Sequence, residues 1–148
     1  MSRGSTRIKV VAAVVATLLV VSAAHAASLL NVRDEGHLHF VHASGSTIVD
    51  EGSVSGSFPG SVRVRFLYDG EPEVSAQFTI SGHGGSISAR GSGRLSSPTS
   101  ASPSFRGRMT VTGGSGRYAR AHGGGGLYGT FDRRTYAFVI QTTGKFSY

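Results

Sequence analysis

The sequence predicts an all-β fold, an eight-stranded antiparallel β-barrel over residues 27–148, with a two-layer β-sandwich as the alternative. Three observations carry this expectation. After residue 28 the apolar residues alternate with polar ones instead of recurring every third and fourth position, which is the period of a strand and not of a helix. Turn-forming residues interrupt the alternation at short intervals, leaving about eight short segments, the spacing of a sandwich or a barrel. Glycine makes up 22 of the 148 residues, and many glycines share the register of apolar neighbours. That placement favours the barrel, where glycine lets a strand bend sharply or makes room inside.

The amino-terminal segment stands apart from this pattern. Arg3, Arg7 and Lys9 precede an apolar run from Val10 to Val21, and small residues follow from Ser22 to Ser28. Charged, apolar and small-residue regions in that order form a secretory signal, and Ala24-His25-Ala26 places cleavage after Ala26. The run is shorter than the roughly 20 apolar residues that span a bilayer. Residues 1–26 are therefore read as a signal peptide and residues 27–148 as one domain, secreted to the extracellular space or retained in the cell envelope. The signal holds three of the fifteen basic residues and none of the eight acidic ones. The remainder is modestly basic, which biases encounters towards anions without the dense stripe of a nucleic-acid binder. Cysteine is absent, which excludes thiolate chemistry and disulfide staples and leaves stability to core packing.

Taken in order, the strand signals begin with Leu38, Phe40 and His42 against His37, His39 and Val41, followed by a weaker stretch from Ile48 to Phe58. Val62, Val64, Phe66 and Tyr68 then alternate with Arg63, Arg65 and Leu67, and Asp69-Gly70 supplies a hairpin turn. The clearest alternation sets Val74, Ala76, Phe78 and Ile80 against Ser75, Gln77, Thr79 and Ser81. Ile87, Ala89 and Leu95 oppose Ser88, Arg90 and Arg94. A Ser/Pro-rich surface loop is expected from Leu95 to Ser104, because Pro98 and Pro103 cannot serve a central strand. Phe105, Met109 and Val111 oppose Arg106, Arg108 and Thr110, and weaker strands are expected over Gly124 to Phe131 and Thr135 to Gln141. The one candidate helical turn is Arg117 to Ala121. Gly52, Gly56, Gly91, Gly93, Gly107 and Gly129 are expected to face inwards.

From Thr112 the chain reads Thr-Gly-Gly-Ser-Gly-Arg-Tyr-Ala-Arg-Ala-His-Gly to Gly123, with Leu127-Tyr128-Gly129-Thr130-Phe131 following. This stretch, Thr110 to Phe131, resembles the T-G-G-[ST]-G-x-[FY]-x-x-A-x-G segment of the allene oxide cyclase and dirigent-type barrels, where a strand ends in a glycine turn and a short plug precedes the next strand. The resemblance implies an eight-stranded antiparallel barrel around an apolar cavity. It implies no catalytic residue, because those of the plant enzymes lie outside the matched segment.

Several constellations invite a chemical reading. His37 and His39 share one strand face just after Asp34 and Glu35, a nitrogen-and-oxygen set suited to zinc or copper, but a polar outer face explains the same pattern and no metal or other cofactor is expected. His122 and its glycine run look like an esterase oxyanion turn, yet no G-x-S-x-G nucleophile exists. Arg90, Arg94, Arg106 and Arg108 fall on outer faces and suit an acidic polysaccharide; no interleaved aromatics mark a nucleic-acid platform. His42, Asp50, Tyr68 and Tyr136 share the inward register and are the expected polar lining of a cavity. The expected function is a secreted barrel that binds a small apolar molecule. The alternatives are an isomerase or cyclase using Asp50 as acid or base in that cavity, surface binding of acidic glycans, and an outer-membrane barrel with its apolar face in lipid.

Overall fold

The computed structural model describes residues 28–68 and 72–148. The expected signal peptide and the Asp69-Gly70 turn lie outside the described residues. The chain folds into strands β1 (Leu29–Ser44), β2 (Thr47–Gly56), β3 (Gly60–Leu67), β4 (Glu73–Gly82), β5 (Gly85–Ser96), β6 (Ser104–Gly114), β7 (His122–Phe131) and β8 (Phe138–Ser147). Each strand pairs antiparallel with the next, and β8 pairs back onto β1 from Leu29↔Ser147 to Leu38↔Phe138, so the sheet is a closed barrel. Closure leaves no unpaired edge and excludes the sandwich.

The period-two pattern decides which side chains enter the barrel. Along β3 burial alternates without a break, with Val62, Val64 and Phe66 inside and Ser61, Arg63 and Arg65 outside. In β4, Ala76, Phe78 and Ile80 are buried in the same way. They meet Leu38, Ile87, Ala89, Met109 and Val111 in one core. An eight-stranded barrel is just wide enough for such side chains to fill. The void among Leu38, Val64, Phe78 and Leu127 is only about 30 Å³, the volume of about one water.

Two strands extend beyond their sequence signal. β1 begins at Leu29, because Val32, Asp34, Gly36 and Leu38 are all buried on one face; a carboxylate and a glycine at inward positions hide the alternation. β8 runs from Phe138 to Ser147 instead of Thr135 to Gln141, with Thr142 inside as a buried polar residue. Residues before Phe138 form a turn in which the Asp132 carboxylate accepts the Arg134 and Thr135 N–H groups at 2.8 and 3.2 Å. β7 and β8 approach so closely at Gly125↔Gly144 that a side chain at Gly125 would collide with the Thr143 carbonyl.

A register shift between Phe40 and His42 changes the lining of the barrel. Phe40 pairs with Asp50 but His42 pairs with Val49, so one extra residue turns His42 over. His42 is exposed, not inward as the unbroken alternation predicts. The loop between β5 and β6 also differs from expectation at one residue: Pro103 is fully buried.

The two ends of the barrel are built differently. At one end the 3-10 turn Gly116–Tyr118 sets Tyr118 edge-on to Phe58 with ring centres 4.9 Å apart, and Tyr148 packs at 4.8 Å on Tyr118. Gly116 adopts φ +59°, and any side chain there would strike the Gly84 carbonyl. Arg117 caps the stack 5.4 Å above both tyrosine rings. Asp34 fixes the loop opposite by accepting the Phe58 N–H at 2.8 Å. At the other end, where β1–β2, β3–β4, β5–β6 and β7–β8 connect, the described residues form no such plug.

The register predicts opposite outcomes for neighbouring substitutions. Phe78→Asp places an unpaired charge in the core, at a cost of several kcal/mol against a total stability of about 5–15 kcal/mol, and is expected to unfold the domain. Gln77 is exposed and stands between Arg65 and Arg90 in the ladder, so Gln77→Asp is expected to keep the melting temperature. Equal loss in both variants, measured by circular dichroism melts, would contradict the register.

Candidate functional site

The open end holds an apolar cavity of about 640 Å³. Its walls come from the open-end termini of the strands, where the inward register supplies Phe40 and Ala43 from β1, Ile48 and Asp50 from β2, Phe66 from β3, Val74 from β4 and Leu95 from β5. Tyr68, Pro103, Phe131, Arg133, Tyr136 and Phe138 complete it. The floor is a set of packed rings. Phe66 stacks on Phe138 with centres 4.7 Å apart and planes at 18°, and Phe138 touches Phe131 at 4.9 Å and Phe105 at 5.6 Å. Tyr136 stands between Phe40 and Phe131 at 6.1 and 6.2 Å. Phe40, Tyr68 and Tyr136 are 45%, 41% and 58% exposed, so the rim presents aromatic surface to solvent.

One group in this lining is out of place. Asp50 is 2% exposed, and its Oδ1 has no hydrogen-bond partner among the described residues. Burial pushes its carboxyl above the ordinary aspartate range, with the positive field of His39 opposing. Asp34 makes an instructive contrast. It is equally buried and also raised by burial, but the backbone N–H groups of Phe58 and Ser57 pull it back.

The rim is held by its own hydrogen bonds. Arg133 donates from Nε to the Ser100 carbonyl at 3.0 Å and from Nη2 to the Pro98 carbonyl, and its backbone N–H reaches the Ala101 carbonyl at 3.0 Å. These bonds tie the β7–β8 turn to the β5–β6 loop. Tyr136 adopts φ +57° and Ser97 φ +52°, left-handed values that a side chain disfavours. Tyr136 is kept there by donating its N–H to the Asp132 carbonyl at 2.8 Å.

Of the residues singled out from sequence, Asp50, Tyr68 and Tyr136 line this cavity together, and His42 does not. Sequence reasoning placed Leu95 on the inward register but missed Ala43, Pro103 and Arg133. Ala43 takes the inward place because of the register shift, and loop residues such as Pro103 and Arg133 carry no periodicity from which their direction could be read. Gly129 is not a cavity position either, since a side chain there would run into the Phe105 ring and the Val139 carbonyl.

The remaining constellations separate in space. Asp34 is buried inside the barrel, whereas His37 is exposed and donates to Glu35 Oε1 at 2.8 Å. Glu35 also accepts from Gln141 at 2.9 Å, and these bonds hold its carboxyl below the usual range. No group of three or more His, Asp or Glu side chains placed to hold a metal occurs among the described residues. His122 and its glycines form strand β7 instead of a turn. The arginines stand outside: Arg94 lies directly opposite Arg106 in the ladder, and Arg108 opposite Ser92. Arg106 covers the Tyr128 ring at 5.6 Å. With arginines outside and the apolar register inside, the barrel surface is the reverse of what contact with lipid chains requires.

No family model, curated protein or solved structure matches the chain. The cavity must therefore be interpreted from its own chemistry.

The raised Asp50 carboxyl has a consequence for stability. In acid, below the unfolded-state aspartate pKa, the group is neutral in both states and costs nothing. As pH rises through its folded pKa, ionisation is harder in the folded state than in the unfolded chain, and stability is lost. Asp50→Asn is expected to melt above wild type near about pH 7, with the gap closing as pH falls towards about 4. A series of thermal melts across that range checks this; a gap that is absent at neutral pH or independent of pH contradicts it.

Proposed function

We propose that this protein is an exported barrel that binds a small, largely apolar molecule in its open end. The observation that carries the reading is the ring-lined cavity of about 640 Å³, within the roughly 300–1,000 Å³ of small-molecule sites. Asp50, Tyr68, Arg133 and Tyr136 are its polar residues, and Phe40, Phe66 and Phe138 belong to its apolar surface. The resemblance of Thr110 to Phe131 to allene oxide cyclase and dirigent-type barrels supports the same reading, and the charge and hydropathy order of residues 1–26 supports export. A panel of hydrophobic metabolites screened by thermal shift tests it. A ligand at 100 times its Kd is expected to add about 2.7 kcal/mol of stability, and Ala43→Phe, which fills the cavity from its rim, is expected to abolish the effect while keeping its own fold. No stabilisation by any member of the panel would overturn the proposal.

A second reading rests on a different surface. Arg63 and Arg65 on β3 share an outer groove with Arg90 on β5, and Arg94 on β5 faces Arg106 on β6, two residues from Arg108. Among the described residues, Glu51 at 2.6 Å from Arg63 and Glu73 at 3.7 Å from Arg94 are the carboxylates paired with them. Like charges directly opposite in a ladder, as at Arg94 and Arg106, destabilise a sheet unless an anion joins them. This face suits a sulfated or carboxylated polysaccharide. Binding to heparin is expected to weaken steeply with added salt and to be lost in the double variant Arg106→Ser, Arg108→Ser, as read by affinity chromatography. Retention of the double variant at the wild-type salt concentration would exclude this surface.

A further inference from the structure

We infer that the cavity at the open end selects apolar amines, with a protonated ligand nitrogen donating to Asp50 Oδ1. The inference rests on the reading that this cavity takes a small molecule, and it adds the chemical class of that molecule. The fold treats its two buried aspartates differently: Asp34 receives the Phe58 N–H at 2.8 Å, whereas Asp50, 2% exposed, keeps Oδ1 without a partner among the described residues. An unpartnered buried acceptor that lines a cavity marks where a donor from outside completes the structure.

The surroundings choose between a charged and a neutral donor. Around Asp50 the cavity is built largely of rings, with Phe40, Phe66, Tyr68, Tyr136 and Phe138 lining it, and ring faces attract cations. A neutral hydroxyl would leave the carboxylate charge uncompensated in apolar surroundings, whereas an ammonium group compensates it and makes a charge-assisted hydrogen bond. Arg133 also lines the cavity, but its Nε and Nη2 donate to the Ser100 and Pro98 carbonyls of the rim, which holds the guanidinium at the mouth. His39 is exposed on the outer face of β1 opposite Glu51 and reaches Asp50 only through space. A carboxylic acid ligand would place like charges together and is rejected.

Three probes that share one aromatic body test the inference: naphthylmethylamine, naphthylmethanol and naphthoic acid. Each is titrated into the purified protein at neutral pH by isothermal calorimetry, for wild type, Asp50→Asn and Ala43→Phe. The amine is expected to bind wild type about tenfold or more tightly than the alcohol, the increment of one hydrogen bond to a charged group, and the acid not to bind. Asp50→Asn is expected to remove the preference for amine while keeping the alcohol, and Ala43→Phe to remove both. The comparison within wild type stands without either variant. Alcohol binding that is sensitive to Ala43→Phe but shows no preference for amine overturns the inference and leaves the binding cavity intact. A preference for amine that survives Asp50→Asn overturns it as well. If no probe binds wild type, the cavity reading fails and the inference with it.

Discussion

Closure of β8 onto β1 is the constraint on which the rest of this structure depends. Once the sheet is closed with eight strands, its interior is a narrow tube whose inward positions must share a fixed volume. Phe66, Phe78, Met109 and the branched residues around Val64 fill that volume and leave about 30 Å³ empty. Where facing strands come too close, side chains give way to glycine, as at Gly125 and Gly144. A ligand of any size therefore has no room in the body of the barrel. The space that remains is at an end.

Which end is decided by two small devices. The 3-10 turn after β6 drops Tyr118 across one opening, where Phe58 and Tyr148 close around it, and Asp34 locks the Phe58 loop from inside. With N–H groups donating to it, Asp34 is a buried carboxylate that the fold can carry at modest cost. The opposite end has rings as well, but they line a wall instead of closing a gap. The difference between plug and mouth is one of direction, set by short turns and by the register shift after Phe40.

The sequence makes the barrel legible wherever inward positions are apolar. β3, β4 and most of β6 can be read from alternation alone, because Val62, Val64, Phe66, Ala76, Phe78, Ile80, Met109 and Val111 leave no ambiguity. The first half of β1 and the second half of β8 cannot, since Asp34, Gly36, Thr142 and Gly144 occupy inward positions that a hydropathy pattern scores as exposed. The candidate site was legible only in part for a related reason. Asp50, Tyr68 and Tyr136 line the cavity, but one extra residue in β1 exchanges His42 for Ala43. Nothing in the sequence near His42 announces that exchange, because Val41, His42 and Ala43 are each compatible with either face. Arg133 and Pro103 were out of reach, because their directions are set by turns that hold to one another across the mouth.

The departures from ordinary packing are not scattered. An unpartnered buried carboxylate at Asp50, left-handed backbone at Ser97 and Tyr136 and the exposed rings of Phe40, Tyr68 and Tyr136 all lie at the mouth. At the plug, Asp34 is hydrogen-bonded, the left-handed positions are glycines such as Gly84 and Gly116, and Tyr118 is buried. The same chain thus satisfies its buried carboxylate and gives left-handed backbone to glycine at one end, whereas at the other Asp50 Oδ1 has no partner among the described residues and Ser97 and Tyr136 share the left-handed region with Gly45. Strain and unsatisfied polarity persist only where the surroundings hold them, and their concentration at the mouth is what motivates the proposed binding role. The Arg133 ties supply the holding, since they fix the loop that carries Ser97 to the turn that carries Tyr136. On the proposed binding role, a mouth fixed in this way would lose little further freedom on taking up a ligand, so the stability given up in the free protein would be recovered as binding.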